Sequence, residues 1–200
     1  MGHTSVGLMK ASRSHEITSP DVGVEVATGR PNACNQCHLD RTLQWTAERQ
    51  EADWQVAPPS LNAEQREVAA SVRWLLSGDA GQRMLAAWSY GWGPAQEASG
   101  DDWMAPYLGR LLDDPYYVVR FNAQRSLRSL SGYGGVLVNY NFVADAAEQA
   151  RFVGDVTKLW TSRYSGGMRP AVLMAARGLS RARFDQLYAR RDDRPVYIAE

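Results

Sequence analysis

The sequence predicts a mostly α-helical protein in two parts, a loop-then-helix segment over residues 1–57 and a body of stacked helix pairs over 58–200. Three observations predict it. The only two cysteines fall in one short motif, Cys34-Asn35-Gln36-Cys37-His38, behind a stretch rich in turn formers. A stiff breaker, Ala57-Pro58-Pro59-Ser60, follows. Beyond it, apolar residues recur at helical spacing over most of the remaining chain.

Residues 1–33 show little periodicity and contain His3 and His15. Ser19-Pro20-Asp21 and Thr28-Gly29-Arg30-Pro31-Asn32 are turn chemistry, and Pro31 biases Arg30 away from helix, so this part reads as a wrapping loop. A helix is expected from Ala33, capped by Asn32, with Ala33, Leu39, Leu43 and Ala47 along one side.

C-x-x-C-H is the spacing of covalent c-type haem attachment. Two thiols one helical turn apart reach the same edge of a planar macrocycle, and the next residue's imidazole becomes the proximal iron ligand. Cys34 and Cys37 are thus the expected thioether residues and His38 the expected proximal ligand. Zinc needs further ligands, and no second cysteine pair is present. A thioredoxin-like redox pair wants a βαβ unit around it, which the flanks do not offer. A disulfide closing so short a loop contributes little stability.

A six-coordinate haem needs a second axial ligand. His15 is the first choice, in the wrapping loop beside Ser14 and Glu16, and His3 is its rival. Met9, Met84 and Met104 are further sulfur donors, although Met104 sits on an apolar stripe. Trp45 lies seven residues after His38 and packs either on the porphyrin or in the core. Arg30 and Arg41 are candidates for pairing with propionates.

In the body, Asn62 to Leu76 carries Val68, Val72, Leu75 and Leu76 at helical spacing and ends at Ser77-Gly78. Gly81 to Trp92 and Asp101 to Leu112 are the next expected helices. Asp114 then reads as an N-cap with Pro115 at the first helical position, followed by Val118, Val119-Arg120, Ala123 and Leu127. The segment 132–142 is rich in glycine and aromatics and alternates at Val136, Val138 and Tyr140, which reads as short and extended. Arg190 to Pro195 reads as a charged surface turn.

Two resemblances bear on function. His3-Thr4, Gly7 to Ala11, Arg13 to Ile17, Ser19-Pro20 and Gly29 to Asp40 are together similar to the C-terminal haem region of multihaem c-type cytochromes with paired C-x-x-C-H motifs. The family's opening is C-H-M-P-H-T, directly behind an upstream haem motif. Here Met1-Gly2-His3-Thr4 stands in its place, with Gly2 where the family has proline. The resemblance implies an upstream haem motif, neighbouring haems and maturation on the exported, periplasmic side of a membrane. The first residues contain no signal-peptide core, so the chain is expected to be part of a longer exported protein or to have a misassigned start. Separately, D-P-x-x-V-R-x-x-A-x-x-x-L from Asp114 resembles the second helix of a HEAT repeat. A weaker copy lies at Asp79, Gln82-Arg83, Ala86 and Ala87, placing Arg83 and Arg120 37 positions apart, near the ~40-residue period of such repeats. A third, degenerate copy is expected from Met168-Arg169-Pro170 to Leu179.

Lysine plus arginine equals aspartate plus glutamate, 22 of each, so no global field favours nucleic acid or an anionic membrane. No run approaches the ~20 apolar residues of a membrane span. Neither a Ser/His/Asp constellation nor a phosphate-cradling loop stands out, and Gly132-Tyr133-Gly134-Gly135 lacks the lysine of a P-loop. The expected function is therefore non-enzymatic: an electron-transfer module with one covalent haem c on a HEAT-like scaffold, relaying electrons between redox partner proteins. The alternative is a protein-interaction scaffold with a structural haem, or a zinc site, at the motif.

Overall fold

Helical spacing becomes helix through most of the body, and the exceptions show what competes with it. The computed structural model describes residues 2–7, 9–13 and 19–196. Among the described residues are ten α-helices, three 3-10 turns and two two-stranded antiparallel sheets, so the fold is mostly α.

The N-terminal segment is more ordered than a loop. β1 (His3–Gly7) and β2 (Lys10–Arg13) form a hairpin, with Met9 at φ 62 in its turn. α1 (Val22–Thr28) follows. The Asp21 side chain accepts from Gly23 N at 2.6 Å to cap it, and Gly29 at φ 76 ends it. The two clusters that read as turns are thus the two caps of one short helix.

α2 (Leu43–Trp54) starts ten residues later than the Asn32 cap predicts, capped by Thr42, whose hydroxyl accepts from Trp45 N. Between them the chain makes only turns, and the cysteines lie outside the helix. The cause is competition for carbonyls. Arg41 O accepts from Ala70 N at 3.0 Å and from the buried Asn35 Nδ2 at 3.0 Å. Asn35 Oδ1 in turn accepts from Thr46 Oγ1 at 2.7 Å, which folds the turn back on α2.

The expected helix over Asn62 to Leu76 is two, α3 (Ala63–Glu67) and α4 (Ala70–Ser77). Val68 is extended, and Ala69 N donates to Ala171 O instead of continuing the helix. α5 (Ala80–Tyr90) carries a capping box between Asp79 and Gln82. α6 (Gly93–Ser99) leads to α7 (Ala105–Arg110), then α8 (Tyr117–Ser129), α9 (Ala146–Arg163) and α10 (Arg181–Tyr188). α4 pairs with α5 and α7 with α8, and the pairs stack α5 on α8 and α4 on α7, with α9 packed on α7.

Asp114 does not cap α8. The helix starts at Tyr117, and Asp114 is wholly buried against Arg83, which is buried too. Arg83 Nε donates to Asp114 Oδ2 at 2.7 Å, and Arg120 Nη1 donates to the Asp114 carbonyl. The two arginines spaced 37 apart therefore converge on one residue that joins the helix pairs. Desolvating a carboxylate needs this pairing, which outweighs a cap worth about 1 kcal/mol.

Two further expectations are corrected. The third copy is not a helix: Pro170–Val172 forms a 3-10 turn, Leu173 has φ 56, and β3 (Met174–Ala175) pairs with β4 (Gly178–Leu179). Pro170 cannot sit inside a helix, and Gly178 at φ 102 supplies a hairpin. The segment 132–142 is turns and a 3-10 turn, Gly135–Leu137, because Leu137 and Tyr140 both point inward. Tyr140 packs edge-on to Phe152 of α9 and donates to Leu112 O.

One hydrophobic core spans both sides of the Pro58-Pro59 breaker. Val22, Leu39, Leu43 and Ala47 join it from the N-terminal side, and Tyr90, Trp103, Tyr107 and Leu108 from the body.

Candidate functional site

The motif turn is built from its own backbone. Cys34 O accepts from Cys37 N at 3.2 Å and from His38 N at 2.9 Å, which winds residues 34–38 through one helix-like turn. Asn32 Oδ1 accepts from Cys34 N at 2.9 Å and opens that turn. Both thiols are free and half-buried, and burial raises both thiols above their ordinary range. A redox-active or nucleophilic C-x-x-C depends on the opposite shift.

Four long-range contacts hold the turn. Gln36, inside the motif, is buried and grips β1 in both directions: His3 N donates to Gln36 Oε1 and Gln36 Nε2 to His3 O, each at 2.7 Å. Gly2 packs so closely that a Cβ on it would stand 2.9 Å from Ala33 Cβ, which is why glycine suits the position where the resembling family has proline. On the C-terminal side, Ser99 Oγ accepts from Leu39 N at 2.8 Å and donates to Cys37 O at 3.1 Å. Arg169 Nη2 donates to Ser99 O at 2.7 Å and to Asp40 Oδ2 at 3.1 Å, while its Nη1 reaches Asp102.

Gln36 thereby brings His3 to the motif. The His3 ring lies 5.8 Å from Trp88 and 6.4 Å from Trp92, and burial lowers its pKa, favouring the neutral imidazole that ligates metals. The His38 ring lies 5.0 Å from Trp45, tilted by 54°. Trp45 is half-buried, outside the core, with Arg41 and Arg49 over its ring. His15, the first-choice distal ligand, lies outside the described residues. Met84 and Met104 are fully buried core residues. Arg41 is exposed and pairs with Asp40 at 3.5 Å, while Arg30 is half-buried.

Sequence reasoning missed Asn35, Gln36, Ser99 and Arg169. Asn35 and Gln36 carried a signal, being polar residues inside a motif whose variable positions accept any side chain. Ser99 and Arg169 carried none, since their partners lie 62 and 129 positions away.

Among the described residues, no three His, Cys, Asp or Glu side chains converge as a metal-binding group, so a zinc site has no protein-only ligand set there. No helix of the described residues is long and apolar enough to cross a membrane. Neither a family model, nor a curated protein, nor a solved structure matches the chain.

Proposed function

We propose that this chain is a c-type cytochrome module that carries one covalent haem and passes electrons between redox proteins. The observation that carries the reading is the Cys34–His38 turn: two free, half-buried thiols one turn apart, followed by an imidazole, braced on both sides by side chains from distant elements. The residues fit the group. Each thiol adds across a vinyl double bond, the sulfur bonding one carbon and the thiol hydrogen going to the other, so no oxidant is needed and protonated thiols supply both atoms. His38 would hold the iron as the proximal ligand, with Trp45 5.0 Å from its ring. His15 is the first candidate for the distal position and His3 the second. When bound, the haem supplies reversible one-electron chemistry at iron.

The stacked pairs α4/α5 and α7/α8, joined at Asp114 by Arg83 and Arg120, support reading the body as a short HEAT-like scaffold. Covalent attachment places maturation on the exported side of a membrane, with redox proteins as partners.

Protein made with c-type maturation is expected to keep its colour after acid-acetone extraction. Cys34→Ala and Cys37→Ala should each weaken that retention, and the double variant should abolish it while far-ultraviolet circular dichroism stays helical. Colourless parent protein from a host that matures other c-type cytochromes would overturn the reading.

A further inference from the structure

Behind the motif turn lies a buried carboxyl that haem attachment does not use. Glu25, on α1, is only 5% exposed. Its Oε2 accepts from Asn32 N at 3.0 Å and its Oε1 from Trp74 Nε1 at 2.8 Å. Asn32 is the residue whose side chain opens the motif turn at Cys34 N. One hydrogen-bonded relay therefore runs from Glu25 through Asn32 to the first haem cysteine.

Glu25 also lines a cavity of about 150 Å³ with Gly29, Gln65, Arg73, Trp74 and Gln82. The charged group facing it there is Arg73 of α4, whose Nε and Nη1 are buried without a hydrogen-bond partner. From α3 and α5 it meets the neutral Gln65 and Gln82. Glu64 of α3, 3.6 Å from Arg73 Nε, and Arg190 act on that arginine in turn. A buried carboxyl, an incompletely paired guanidinium and a polar cavity make a place where a proton can be exchanged with little rearrangement.

We propose that Glu25 is a proton-binding site coupled to the oxidation state of the haem carried by the motif turn. The proposal rests on the haem reading above. An electron arriving from a donor cancels one positive charge at the iron, and Glu25 takes one proton from water. When the electron leaves to an acceptor, the proton returns to water. Burial pushes the Glu25 pKa up to about 7, ahead of the opposing hydrogen bond from Trp74 and charge of Arg73, so the exchange falls near neutral pH.

The test is spectroelectrochemical titration of the haem-loaded protein from acid to alkaline pH, with dithionite and ferricyanide as donor and acceptor, alongside reduced-minus-oxidised infrared difference spectra. The midpoint potential of the parent is expected to fall with rising pH in a window around neutrality. A protonated-carboxyl band should appear on reduction. Glu25→Gln should remove that band and most of the slope. Arg73→Gln, which keeps Glu25 but removes the cation facing it, should shift the window to higher pH. A parent potential that is flat through neutrality, or a slope and band that survive in Glu25→Gln, overturns the proton site and leaves the haem reading standing. Protein with no haem spectrum overturns the haem reading, and the coupling with it.

Discussion

The motif turn and the Asp114 junction are both held from far along the chain, but by different physics. Around Cys34–His38 the bonds are mostly neutral, shared among Asn32, Asn35, Gln36 and Ser99, with half-exposed groups between them. At Asp114 a single buried carboxylate takes one guanidinium on its side chain and another on its carbonyl. Loss of one neutral partner leaves only neutral groups unpaired, whereas loss of the carboxylate takes the main partner from a buried Arg83. The first arrangement leaves the motif turn adjustable. The second fixes how two helix pairs meet.

The comparison can be broken most sharply at the proposed haem site. His15→Ala is expected to turn a low-spin spectrum high-spin and to open the iron to carbon monoxide. If His3→Ala does this instead, the distal position belongs to the histidine that Gln36 holds. A parent that is already high-spin and takes up carbon monoxide readily would sink the carrier reading.

Asp114→Ala should behave in the opposite way. It is expected to cost about 3–5 kcal/mol in urea denaturation, because Arg83 is left buried with its main partner gone, while the haem spectrum of the folded fraction stays as in the parent. A loss under about 1 kcal/mol would show that Asp192, whose carbonyl accepts from Arg83 Nη1, and Asp193, 3.4 Å from Nη2, suffice to satisfy it.

Glu25 lies between the two regimes, a titratable group within the neutral network. Its pKa is raised from 4.5 to about 7 in the folded chain, so the folded state holds a proton that the unfolded state releases between those values. Its stabilising contribution is complete below pH 4.5 and is lost as pH rises through about 7, a fall of roughly 3 kcal/mol. Denaturation of the parent and of Glu25→Gln across that range should show the difference between them changing by about this amount. A constant difference would place the titration elsewhere.

The smallest effect belongs to Gln36→Ala. It leaves the His3 amide and carbonyl without their partner and is expected to cost about 1–3 kcal/mol, with covalent haem retained. Loss of haem in this variant would mean that β1 is needed to shape the attachment turn.

How much of this was legible in the chain varies by residue. The helical character of the body was, since Val72, Leu75 and Leu76 of α4 or Ala123 and Leu127 of α8 repeat at the spacing that buries one face. So was the haem motif as a candidate, because its chemistry resides in adjacent residues. The start of α2 was not, because Asn32 is locally at least as good a cap as Thr42 and the choice depends on Ala70 and Asn35 claiming the Arg41 carbonyl.

By itself, then, the sequence determined a mostly helical chain, the place of Cys34, Cys37 and His38 within it, and the periodic pairing of Arg83 with Arg120. Only tertiary structure decided that both arginines close on Asp114, that Gln36 draws His3 to the motif, that Ser99 and Arg169 brace its far side, and that Glu25 is buried behind it. Patterns and motifs report what neighbours along the chain have in common, whereas burial and ion pairing depend on residues that meet only after the chain has folded.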